Sequence, residues 1–130
     1  MRLGILVGLI SGAAFAAPPA AKTAAVPKTT TITDAARAEA KQVFEQRCAT
    51  CHGVSGKGDG AASAALNPKP RDFQDTAWQK SVTDAHIEKI IAEGGPAVGK
   101  SPLMPPNPDL TGKPVVPALR EWVRGLGAKK

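Results

Sequence analysis

The sequence is short of the residues that usually fill a protein core. It has no tyrosine, two tryptophans and three phenylalanines in 130 residues. A chain of that size with so few large rings is thinly supplied with apolar area. It also has only two cysteines, two histidines and two methionines. That scarcity excludes a disulfide-dense scaffold, a relay of several cofactors and a four-ligand zinc site of the usual Cys and His types. No basic stripe is interleaved with aromatics, which excludes the ordinary nucleic-acid footprint. No alternating β-branched run is long enough to propose a strand. The longest apolar stretch, Leu3 to Ala17, has 15 residues, short of the ~20 that a membrane-spanning helix needs. Glycine (13) and proline (12) are plentiful, so many loops are expected.

The first residues read as an export signal. Met1-Arg2 is a short positive start, Leu3 to Phe15 is apolar or small, and Ala14-Phe15-Ala16 is a small-x-small cleavage site. Residues 1–16 are therefore expected to be a cleaved signal peptide, leaving no stable membrane insertion and a periplasmic protein. Residues 17–33 contain mainly Ala, Pro and Thr, and are expected to be a flexible segment that buries nothing. The domain is placed at 34–130. The formal charge of the whole chain is +6; without Arg2, Lys22 and Lys28 the domain holds 14 basic against 11 acidic residues. This mild excess permits docking on an acidic partner.

The periodicity predicts helices joined by long loops. Thr33-Asp34 is a helix start, and Ala36, Ala40, Val43, Phe44 and Arg47 follow at helical spacing into Cys48. Gly53 to Asn67 reads as a Gly-rich loop with room for one short turn. Asp72 to Lys80 reads as a short helical piece around Phe73 and Trp78. Ser81 to Glu93 is a clearer helix, with Thr83 as cap, a stripe of Ile87, Ile90 and Ile91, and Gly94-Gly95 as its end. Gly99 to Pro114 holds five prolines and is expected to be a loop. Pro117 to Leu126 is the last helix, with Leu119, Trp122, Val123 and Leu126 on one face.

Cys48-Ala49-Thr50-Cys51-His52 carries the chemistry. It is C-x-x-C-H, the attachment sequence of c-type haem. Two thiols add across the two porphyrin vinyl groups. A spacing of three on a helical turn sets both sulfurs on one side, and His52 follows as an imidazole ligand for iron. Random placement of so few Cys and His gives the motif about 3 times in 10,000. A thiol redox pair would want a thioredoxin-like βαβ pattern, which is not visible. A disulfide between Cys48 and Cys51 leaves His52 unexplained. Zinc would need a fourth ligand, for which His86 is available without a second paired motif. A covalent porphyrin also supplies the bulk that Phe44, Phe73, Trp78 and Trp122 cannot.

The second axial ligand is sought by elimination. With Met1 removed, Met104 is the one methionine left, in the proline-stiffened Ser101-Pro102-Leu103-Met104-Pro105-Pro106. The competitors are His86, expected to be exposed beside the Ile87, Ile90 and Ile91 stripe, and an open iron site.

From these residues the chain resembles the class I monohaem cytochromes c over about Ala36 to Leu126. The resemblance rests on C-x-x-C-H near the N-terminus and Met-Pro-Pro some fifty residues later. It implies an all-α cytochrome c fold, with three to five helices and long loops wrapped around one covalent haem. The family's small and aromatic residues, eight and four positions before the first Cys, correspond to Ala40 and Phe44. Family members more often have Gly at the first of these. The Leu and aromatic of its last helix correspond to Leu119 and Trp122. A family proline whose carbonyl accepts from the second nitrogen of the haem His corresponds to Pro68 or Pro70, with Pro68 preferred. Gly56-Lys57-Gly58-Asp59-Gly60 followed by Pro70-Arg71-Asp72-Phe73 is similar to bacterial members in which an Arg or Trp meets a haem propionate. Arg71 and Trp78 are the candidates. The implied function is single-electron transfer by a monomer that docks weakly on redox proteins at the haem edge. A haem-bearing subunit of a larger respiratory complex, and a sensor or enzyme with an open iron, are the alternatives.

Overall fold

The computed structural model describes residues 31–128. The signal peptide read at 1–16, and most of the segment read at 17–33, lie outside the described residues. The last part of that segment departs from expectation. Ile32 packs against the core and Thr33 caps the first helix, accepting the Ala36 amide on Oγ1 at 3.1 Å. The domain thus begins a little earlier than 34, because a lone apolar residue beside a helix cap finds cover there.

Helix α1 spans Asp34–Val43 and buries Ala36, Ala40 and Val43, spaced to share one face. The chain then passes through one π turn, Phe44–Cys48, into α2, Ala49–His52. The helix expected to run into Cys48 is there, widened in its last part. An inserted residue shifts helical phase by about 100°. Cys48, Cys51 and His52 are therefore offered at an angle that a regular helix from Asp34 would not reach.

Helix α3 is Thr76–Ser81, capped by Asp75, whose carboxylate accepts the Ala77 and Trp78 amides at 2.9 and 3.2 Å. Helix α4 is Asp84–Glu93, capped by Thr83 as expected, and ends at Gly94 with φ of +80°. It buries Ile87 and Ile91, while Ile90 is only half-buried. Helix α5 is Val115–Gly127 and buries Val115, Val116, Ala118, Leu119, Val123 and Leu126. Short 3₁₀ turns lie at Ser63–Ala65, Gly95–Val98 and Pro108–Leu110. The described residues contain no strand, and no helix among them is long and apolar enough to cross a membrane.

Helices α1 and α4 both pack on α5. Ala40 is almost fully buried and lets the backbones of α1 and α5 approach. Beside it the Phe44 ring lies 5.8 Å from Trp122 and 6.5 Å from Phe73, and Phe73 lies 5.6 Å from Trp78. These four rings form one continuous cluster, so the scarce aromatics are concentrated in one place. Polar contacts lock the seam between α3, α4 and α5. Arg124 donates to the carbonyls of Gln79 and Val82 and to the Asp84 carboxylate at 2.8 Å. Arg120, one turn earlier, also reaches Asp84, at 2.9 Å. One helix face of α5 thereby closes the end of α3 and the start of α4.

Candidate haem site

The cysteine–histidine helix is held by backbone before any side chain acts. Its last carbonyls have no helical partner, and the glycine-rich loop supplies them. Gly58 N–H donates to the His52 carbonyl at 2.8 Å, Gly60 N–H to Cys51 at 3.1 Å and Ala62 N–H to Thr50 at 2.9 Å. Such close approach requires a missing side chain. A Cβ on Gly60 would collide with the carbonyls of Ala49 and Thr50. Gly58, at φ of +75°, lies in the same way against the Pro70 carbonyl.

That packing draws residues 70–73 alongside the motif, with Phe73 N–H donating to the Gly56 carbonyl at 2.7 Å. The result corrects one expectation. His52 Nδ1 lies 3.1 Å from the carbonyl of Arg71, whereas the resemblance points to Pro68, with Pro70 as second candidate. Pro68 is exposed, a few residues before the stretch that Gly58 brings into register. A carbonyl can only accept, so a neutral His52 carries its proton on Nδ1 and turns the Nε2 lone pair outward. The Phe73 ring stacks on the imidazole at 4.4 Å and 14°. Burial pushes the His52 pKa down, outweighing the Arg71 carbonyl that favours the charged ring. The net lowering suits an imidazole that binds a metal rather than a proton.

His52 opens on a narrow cleft, which Cys48 and Met104 also line. Phe44, Phe73, Ile91, Leu119 and Val123 complete its apolar wall. Cys48 and Cys51 are free and half-buried. Before any attachment, burial raises the Cys48 pKa to about 11, which disfavours its thiolate. Among the described residues no group of three or more His, Cys, Asp or Glu could hold a metal ion. One imidazole, one thiol and one thioether lining an apolar cleft, with the second thiol on the same helix turn, fit a porphyrin iron, which needs few protein ligands and a dry wall.

The remaining sequence candidates stand outside that lining. Cys51 belongs to the same helix turn but does not line the cleft. Arg71 and Trp78 lie together, the guanidinium carbon 5.9 Å from the ring centroid, with Asp75 3.9 Å from the guanidinium. The Trp78 ring in turn packs on Phe73. His86 is half-buried where exposure was expected, and it does not line the cleft. It falls on the flank of the α4 stripe, near enough to be partly covered.

Sequence reading missed how the Met104 loop is held. Gly95 N–H donates to the Met104 carbonyl at 3.0 Å, and Asn107 N–H to Ala92 at 2.9 Å. The Asn107 side chain donates to the Ile91 carbonyl at 2.8 Å. Asp109 accepts both ends of the Arg47 guanidinium at 3.0 Å. Asn107 and Asp109 sit in a proline-rich loop and Arg47 on a helix surface, so no local pattern singles them out.

The cytochrome c family matches residues 37–120. This chain belongs to the cytochrome c family. A solved structure, the KustC0563 c-type cytochrome, is 31% identical, with 67% of this chain and 95% of that chain covered and a TM-score of 0.54. No curated protein matches the chain. Family membership assigns this cytochrome a covalent haem c, held through Cys48 and Cys51 with His52 beside them, in an all-α fold. It also assigns haem-based electron transport, a role typical of extracytoplasmic carriers rather than enzymes.

Proposed function

We propose that this cytochrome is a class I single-electron carrier of the periplasm, with one haem c ligated by His52 and Met104. The supporting observation is that His52 and Met104 line one cleft together with Cys48. When bound, the haem supplies a reversible one-electron couple at its iron. The chain's residues decide how that couple behaves. The Arg71 carbonyl holds the His52 ring and makes Nε2 a stronger donor. A neutral Met104 sulfur favours the ferrous state and closes the position where a substrate or gas would bind. Phe44, Ile91, Leu119 and Val123 keep water out.

Val54, two residues after His52, and Leu103, next to Met104, are 78% and 53% exposed, the large hydrophobics left at the surface among the described residues. With a mild positive excess they suit brief docking of a monomer on redox proteins through a small interface. Arg71 and Trp78 are the proposed partners of the haem propionates. Export rests on the signal reading of residues 1–16.

The test is an optical spectrum of protein expressed in the periplasm, oxidised and then reduced. Sharp reduced c-type bands with a weak long-wavelength sulfur-to-iron band in the oxidised form are expected, together with negligible carbon monoxide binding at neutral pH. Fast stoichiometric carbon monoxide binding would overturn the carrier reading in favour of an open iron. Stable co-purification with membrane subunits would overturn free diffusion in favour of a complex.

A further inference from the structure

The two halves of the cleft come from distant parts of the chain, and one contact joins them on the outside. Arg47 immediately precedes Cys48, in the π turn that sets the phase of the cysteine–histidine helix. Its two terminal nitrogens meet the two oxygens of Asp109 at 3.0 Å each, and Nη1 also reaches Asn107 Oδ1 at 3.3 Å. Asn107 in turn donates to the Ile91 carbonyl, so the same side chain grips α4. Asn107 and Asp109 follow Met104 by three and five residues. We propose that Arg47 and Asp109 form a clasp that holds the Met104 loop closed over the site, and are positioning residues for the methionine ligand. The inference rests on the His52/Met104 reading given above.

A bidentate fork fixes direction as well as distance, which a single charge pair does not. The pair is about half exposed, at 46% and 52%, so its strength lies in the modest range of surface ion pairs. Modest strength is enough here. A prolyl loop has few conformations to lose, so a small bias decides whether it sits open or closed. Opening the loop would withdraw the Met104 sulfur from a bound haem and leave covalent attachment intact, because both cysteines lie on the other half.

The test measures imidazole binding to the oxidised holoprotein at neutral pH, beside the sulfur-to-iron band. Imidazole enters only when the loop lets go, so its apparent affinity reports the open fraction. Arg47→Ala and Asp109→Asn are each expected to tighten imidazole binding about fivefold and to weaken the band. Arg47→Lys, which keeps charge but loses the fork, should tighten it about twofold. Arg37→Ala breaks a comparably exposed ion pair with Glu121 elsewhere and should leave imidazole binding unchanged. The swap Arg47→Asp with Asp109→Arg should recover part of the loss. The clasp is overturned if all Arg47 and Asp109 variants bind imidazole as the native protein does, or if Arg37→Ala shifts binding equally. If the native protein itself lacks the sulfur-to-iron band, the ligand reading fails and the clasp falls with it. An intact band with unchanged variants sinks the clasp alone.

Discussion

The cysteine half and the methionine half of the cleft are built in opposite ways. Residues 44–62 close on themselves, with carbonyls of the motif helix answered by amides six to twelve residues later. Residues 94–110 are held by partners far away in sequence as well as near, and Arg47 lies more than sixty positions from Asp109. The first half is a local structure that any folded state must contain. The second depends on α4, α1 and the loop meeting correctly. Covalent attachment belongs to the robust half, and the ligand that tunes and closes the iron belongs to the adjustable one.

Changes in stability and ligation should separate the halves. The largest loss is expected where both halves share a wall. Phe44→Ala removes a fully buried ring and should cost about 3–5 kcal/mol in denaturant unfolding, whichever half is monitored. Gly60→Ala strikes the cysteine half alone. Its Cβ meets backbone carbonyls, which cannot swing aside, so a loss of about 1–3 kcal/mol and a reduced yield of haem-bearing protein are expected. Met104→Ala strikes the other half. Covalent haem should persist with little loss of stability, while the potential falls and carbon monoxide binds; an unchanged potential would show that Met104 is not the ligand.

The smallest effect is a pH dependence. Hydrogen bonds from Arg47 hold the Asp109 carboxyl below the usual aspartate range. A depressed folded pKa gives stability that is present above the unfolded value and lost as pH falls through the folded one. The difference in unfolding midpoint between native protein and Asp109→Asn should therefore be small at neutral pH and vanish in acid. A difference that grows in acid would contradict the pairing.

Much of this was legible in the sequence because it follows short-range rules. Thr33 and Thr83 announce helix starts through their cap chemistry, and both accept the amide three residues on. The five-residue motif announces its own cofactor. The resemblance matches Phe44 and Trp122 to aromatic positions of the family's first and last helices, and their rings meet. The errors are equally specific. The resemblance points to Pro68 for the His52 bond, and Arg71 makes it, because the accepting group is a backbone carbonyl that every residue carries. Ile32 looked like part of a tail because its burial depends on a core assembled from later residues. His86 lies on the boundary of its helix face, where periodicity alone cannot assign exposure.

By itself, then, the sequence determined the helices, their caps, the covalent cofactor and the family, since each is written in residue types at short spacing. Only the tertiary structure decided which carbonyl orients His52, how the π turn aims the cysteines, and what ties the Met104 loop to the far side of the cleft. Those depend on backbone groups and long-range approach, and an exposed Arg47 or Asp109 reads the same in sequence whether it faces solvent or a partner sixty residues away.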